Sequence, residues 1–92
     1  MDAEITYLGL KNIALQEFPD IVVSASIVRG PLNIAKSLRI FFIDVSFLEI
    51  WISDKKYSYH WQRVVIQYPE VARLKAKITF QTGIVGELQK AE

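Results

Sequence analysis

Alternation is the clearest pattern in the chain. Across 38–61, Leu38, Ile40, Phe42, Leu48, Ile50, Ile52, Tyr57, Tyr59 and Trp61 are spaced to share one side of a pleated sheet. Three strands follow, over 37–43, 47–53 and 56–62. The gaps between them admit only antiparallel hairpins, since a parallel return needs a crossover of about a dozen residues. A two-residue turn at Asp54-Lys55 sets Ile52 opposite Tyr57, Ile50 opposite Tyr59, Leu48 opposite Trp61 and Glu49 opposite His60. A three-residue turn at Asp44-Val45-Ser46 sets Leu38 against Ile52, Ile40 against Ile50 and Phe42 against Leu48. Both registers keep the same apolar set inward, and a one-residue slip in either would scramble it.

Ahead of these strands, 21–29 is rich in β-branched residues and predicts a further strand, with Ile21, Val23, Ala25 and Ile27 on one face. Gly30-Pro31 and Asn33 mark the loop after it. Residues 3–18 read as a helix with a broad stripe of Ile5, Leu8, Ala14 and Phe18, flanked by Leu10, Ile13 and Leu15. Asp2 suits its cap and Glu4 its positive end. Gly9 weakens it by about 1 kcal/mol relative to Ala, and Phe18-Pro19-Asp20 ends it, because the residue before proline leaves helical geometry.

Beyond Gln62 the alternation breaks, which predicts a bulge or turn near Gln62-Arg63 and a resumed strand over 64–66. The stretch 69–80 supports two readings. Pro69, Glu70 and the late Lys75 and Lys77 form a helix signature, whereas Ala72, Leu74, Ala76, Ile78 and Phe80 alternate like a strand. We take 69–77 as helix, followed by a tail with a last helical turn at 87–90. The expected architecture over 1–92 is one α+β domain: an N-terminal helix packed on a four-stranded antiparallel meander sheet, with a short C-terminal helical or extended tail.

Composition narrows the possibilities. The chain has 92 residues, 51% of them hydrophobic, and a net charge of +1, which gives no strong electrostatic case for nucleic acid or acidic membrane. With no cysteine there is neither a disulfide framework nor a thiolate nucleophile or ligand. The acidic start Met1-Asp2-Ala3-Glu4 lacks the basic and apolar segments of a signal peptide, and Arg39, Asp44 and Glu49 interrupt the most apolar region. A cytoplasmic protein without a membrane span is expected. A single histidine, no metal-ligand spacing and no glycine-rich phosphate loop leave no metal or cofactor to expect.

The opposite sheet face carries Arg39, Phe41, Ile43, Phe47, Glu49, Trp51, Lys56, Ser58, His60 and Gln62. Cross-strand neighbours lie about 5 Å apart, so Glu49 could accept a hydrogen bond from His60 and raise its pKa. His60 could then act as general acid or base, with Arg39 stabilising a phosphate or oxyanion, the parts of a metal-independent ribonuclease. Trp51, Ser58 and Gln62 are candidate binding residues beside them. The plainer reading is a cross-strand ion pair on a half-exposed face. Phe41, Phe47 and Trp51 are large for a solvent face, so the tail or a partner, including a second copy, is expected there. Lys55 to Arg63 interleaves cations and aromatics as a single-strand binder does, although the register turns Tyr57, Tyr59 and Trp61 to the core.

The string Tyr57-Ser58-Tyr59-His60-Trp61-Gln62, closing a strand after two apolar strands, resembles the TumE family of toxins from prokaryotic toxin–antitoxin pairs. The helix-first order adds to the likeness over 3–63. The resemblance implicates Tyr59, His60, Trp61 and Gln62 as signature positions and implies a cognate antitoxin as partner, with RNA as a possible target. Downstream the chain runs Arg63-Val64-Val65-Ile66-Gln67-Tyr68-Pro69 in place of the family's later Trp-Asp-Asn and Ala-Pro-His strings.

Overall fold

A computed structural model describes residues 3–53, 56–62, 69–82 and 88–90, with side-chain surroundings for 4–52 and 69–81. The chain runs α1 (Ala3–Glu17), β1 (Val22–Arg29), β2 (Ala35–Phe42), β3 (Phe47–Ser53), β4 (Lys56–Gln62), α2 (Pro69–Thr82) and β5 (Leu88–Lys90). The class is α+β, with a helix at the start, antiparallel strands in the middle and a second helix near the end. The sheet is not the four-stranded antiparallel meander expected from the pattern. It has five strands in the order β1-β2-β3-β4-β5, and β5 lies parallel to β4. Of the segment read as a last helical turn at 87–90, the described part, Leu88–Lys90, is therefore extended.

Helix α1 turns only part of the expected stripe to the core. Leu10, Ala14 and Phe18 are buried together with Tyr7, which the stripe did not include, whereas Ile5 is 68% and Leu8 44% exposed. Spacings of three and four residues put the buried set on one face. The reason is polar. The Tyr7 hydroxyl donates to the Lys36 carbonyl at 3.0 Å and accepts from the Ile52 amide at 3.0 Å, so the aromatic ring is buried with both needs of its oxygen met. The helix closes at Phe18, whose carbonyl takes the amides of Ile21 and Val22 while Pro19 prevents a further turn. The expected cap, Asp2, lies outside the described residues.

Two irregularities set the register of β1 on β2. Val22 pairs with Phe42 and Ser24 with Phe41, leaving Val23 as an extra residue. That bulge overturns the expected inward direction of Val23: it is 63% exposed, while Val22 and Ala25 face the core. At the other end Val28 pairs with Ser37 and Arg29 with Ala35, so Lys36 is the extra residue on β2. Its carbonyl is the one that Tyr7 takes. Continuing the β2–β3 register would set Lys36 opposite Ile52, so the Tyr7 hydroxyl bridges the positions where the next ladder hydrogen bond would fall.

The β2–β3 hairpin differs from expectation by two residues. Leu38 pairs with Ile50, Ile40 with Leu48 and Phe41 with Phe47. A shift of two preserves the side-chain period, so Leu38, Ile40, Phe42, Leu48 and Ile50 still share the core face, each at most 2% exposed. The turn is Ile43-Asp44-Val45. The Phe42 amide donates to the Ser46 carbonyl, and the Val45 amide donates to the Phe42 carbonyl. Val45 sits at φ 62°, the left-handed position that closes a three-residue hairpin loop. Asp44 Oδ1 accepts from the Ser46 amide at 3.0 Å and from the Ser46 hydroxyl, which stabilises the tip.

Strand β4 pairs with β3 as a two-residue turn requires: Ile52 with Tyr57, Ile50 with Tyr59, Glu49 with His60 and Leu48 with Trp61. The inward direction expected of Tyr57, Tyr59 and Trp61 concerns side chains outside those described. The turn at 54–55, the expected bulge at Gln62-Arg63 and the strand over 64–66 also lie outside the described residues. Residues 69–82 resolve the double reading as a helix, one turn longer than expected. Val71, Leu74 and Ile78 are buried at helical spacing, while Phe80, inward in the strand reading, is 87% exposed. Helix α2 runs antiparallel to α1: Lys77 pairs with Glu17 at 3.1 Å, Arg73 stacks over the Phe18 ring at 5.6 Å, and Gln81 approaches Gly9. Both helices contribute to one core with the Leu38–Ile50 face of the sheet. None of the described helices is long and apolar enough to cross a membrane.

Candidate functional site

The face of the sheet turned away from that core is built in cross-strand rows. The backbone register aligns Ser26, Arg39, Glu49, His60 and Gln89 across all five strands. A second row holds Ser24, Phe41, Phe47 and Gln62, and on the other side Trp51 pairs with Ser58. The sequence candidates Arg39, Glu49, His60, Trp51, Ser58 and Gln62 thus occupy neighbouring register positions.

At the centre stands Glu49, a carboxylate only 8% exposed. Burial of a carboxylate is costly without partners, and two are present. Arg39 Nε donates to Glu49 Oε2 at 2.8 Å, and the Ser37 hydroxyl donates to the same oxygen at 2.7 Å. Ser37 is itself fully buried. The Arg39 side chain remains 41% exposed, with its guanidinium 5.1 Å above the centre of the Phe47 ring. Phe47 in turn meets Phe41 at 5.3 Å with the rings tilted by 45°. A charge-assisted hydrogen bond on one side and a ring face below hold the guanidinium in one orientation, an arrangement suited to presenting a fixed cation.

The expectation of large apolar groups standing in solvent is modified: Phe41, Phe47 and Trp51 are each half-buried. Ser37 was the member that sequence reasoning missed. Its position two residues before Arg39, on the same face of β2, was the available signal. Tyr7 was missed as well. In its buried position its hydroxyl pKa is raised, first by desolvation and then by the nearby Glu49 charge, against a lowering by its hydrogen bond from Ile52. Among the described residues no group of three His, Asp or Glu side chains could hold a metal ion. The expected hydrogen bond from His60 to Glu49 concerns a side chain outside those described.

No family model, no curated protein and no solved structure matches this chain.

Proposed function

We propose that the chain is a small cytoplasmic protein of the prokaryotic toxin–antitoxin kind, resembling TumE toxins, that acts on RNA through the sheet face carrying Arg39 and Glu49 and is neutralised by a cognate antitoxin. The observation that carries this reading is the anchored Arg39. Its Nε is tied to Glu49 at 2.8 Å, its guanidinium is partly exposed, and the register sets Glu49 directly opposite His60. In this scheme His60 takes the proton of a ribose 2′-hydroxyl. The oxygen attacks the adjacent phosphorus, the bond from phosphorus to the 5′-oxygen breaks, and the imidazolium returns its proton to the departing oxygen. Arg39 stabilises the charge that develops on phosphorus-bound oxygens, Glu49 balances the imidazolium, and Trp51, Ser58 and Gln62 position the strand. RNA incubated with the intact protein should yield 2′,3′-cyclic phosphate ends, and His60→Ala should abolish them. Equal RNA loss from both proteins removes the reading.

The Phe41–Phe47 pair beside half-buried Trp51 favours a second reading, a non-catalytic module that associates with its own copy through this face. In that case Trp51→Glu should halve the mass in light scattering, and an unchanged mass argues against it.

A further inference from the structure

We infer that Ser37 is a positioning residue: by holding Glu49 to a single bond with Arg39, it keeps the two terminal guanidinium nitrogens as a fork for the unesterified oxygens of an RNA phosphodiester. Arg39 meets phosphorus-bound oxygens in the reading above, on which this rests. What is added is how its donors are kept from the neighbouring carboxylate.

An arginine beside a carboxylate frequently pairs through two parallel N–H donors, one to each oxygen. Here it does not. Arg39 Nε donates to Glu49 Oε2 at 2.8 Å, and the Ser37 hydroxyl donates to that same oxygen at 2.7 Å. Among the described residues nothing else hydrogen-bonds Glu49 Oε1 or the terminal nitrogens of Arg39.

Ser37 and Arg39 lie two residues apart on β2, so both stand on one face. Arg39 reaches Glu49 directly across the strand pair and Ser37 reaches it diagonally. Ser37 is fully buried, so no water competes for its hydroxyl proton. Two donors arriving at Oε2 from different directions fix a carboxylate whose terminal torsion is otherwise soft. Without the serine, rotation about that torsion brings Oε1 to a second guanidinium nitrogen, and Glu49 takes up the fork.

The Phe47 ring lies 5.1 Å from the guanidinium carbon and closes one face of the group. An anion therefore meets Arg39 in the guanidinium plane, where the N–H donors point. The Arg39 side chain is 41% exposed, so that plane can be reached from solvent. A phosphodiester presents two unesterified oxygens there, the pattern that two parallel donors match.

Calorimetric binding of a single-stranded oligoribonucleotide tests this. Hydroxyls at both ends make every phosphate a diester, and the His60→Ala protein prevents cleavage. Ser37→Ala should raise Kd about tenfold, the worth of one charge-assisted hydrogen bond. Arg39→Lys, a charge without a fork, should raise it at least as much. In a Glu49→Gln background the amide has one acceptor oxygen and cannot take both arms. There Ser37→Ala should change Kd less than about twofold, whereas a merely structural loss would be the same in both backgrounds. A crystal structure of Ser37→Ala should show Arg39 joined to Glu49 by two N–H···O bonds. Ser37→Cys, a weaker donor, replaces alanine should circular dichroism show that variant unfolded. An equal loss in both backgrounds, a Kd insensitive to Arg39→Lys, no binding of the oligonucleotide, or Nε still alone on Oε2 in the Ser37→Ala crystal would each overturn the inference. The ribonuclease reading fails separately. RNA bound with this pattern but yielding no cyclic phosphate ends removes the catalysis and leaves the fork. Cyclic ends formed with an unchanged KM in Ser37→Ala remove the fork and leave the catalysis.

Discussion

Replacing Tyr7 by Phe removes a single oxygen and tests whether that atom joins α1 to the sheet. The ring stays, so no cavity opens and the apolar burial is unchanged. What is lost is a donor to the Lys36 carbonyl and an acceptor for the Ile52 amide, both at 3.0 Å, at a residue with no exposed surface. Each buried polar group left without a partner costs about 1–3 kcal/mol. Allowing for relaxation, the pair should cost about 2–4 kcal/mol, a large share of the roughly 5–15 kcal/mol that holds a small domain together. The melting temperature should fall by about ten degrees or more. Urea unfolding followed by tryptophan fluorescence measures the difference directly. The effect should also carry a pH signature. Burial raises the folded-state pKa of the Tyr7 hydroxyl above its ordinary value of 10.0, so above that pH the folded state binds more protons than the unfolded one. The contribution of this hydroxyl is therefore complete below about pH 10 and is lost as pH rises through the folded value. The stability gap between wild-type and Tyr7→Phe should be flat below pH 10 and shrink above it. A loss under about 0.5 kcal/mol would mean that Lys36 and Ile52 simply close the ladder between themselves, and the bridging role would be refuted.

Val45→Gly should stabilise the protein by roughly 0.5–1 kcal/mol, the relief of a left-handed β-branched residue less the entropy that glycine adds. Val45 is 65% exposed and loses little burial, so a lower urea midpoint would contradict the strain. Gly9→Ala should raise stability by about 0.5–1 kcal/mol through helix propensity, because the added methyl would meet nothing nearer than Gln81 Nε2 at 3.8 Å. Arg39→Leu strands the buried Glu49 carboxylate and should cost about 2–3 kcal/mol, while Glu49→Gln, which can still accept from Ser37 and leaves a half-exposed arginine to water, should cost less. Parallel urea titrations of the two variants rank them, and the reverse order would show that Ser37 alone satisfies the carboxylate.

The alternation of Leu38, Ile40, Leu48 and Ile50 was legible because the side-chain period of a strand depends only on local geometry, and it survived a two-residue error in the hairpin register. The face holding Arg39 and Glu49 was legible for the same reason. The register error arose at Val45, where an αL conformation on a valine has no propensity signal to announce it. Val23 was misdirected for a related reason, since a bulge adds a residue without leaving a mark in composition. The partners of Glu49 were not legible. The expected register set Arg39 opposite Trp51 and left His60 as the partner of Glu49. Arg39 came opposite Glu49 only with the two-residue shift, and Ser37 became a partner only because its hydroxyl is buried close enough to share one carboxylate oxygen.

Local spacing by itself determined that this chain forms an opening helix, antiparallel β-hairpins and one continuous oily sheet face, because those follow from periods of about 3.6 and 2 along the backbone. It could not determine which side of α1 faces the core, whether 69–80 coils or extends, or that β5 adds a parallel edge. Those outcomes depend on what each segment meets. Tyr7 won the inward side of α1 because two backbone groups awaited its hydroxyl, and Val71, Leu74 and Ile78 became a helix face because α1 and the sheet gave that face somewhere to bury itself.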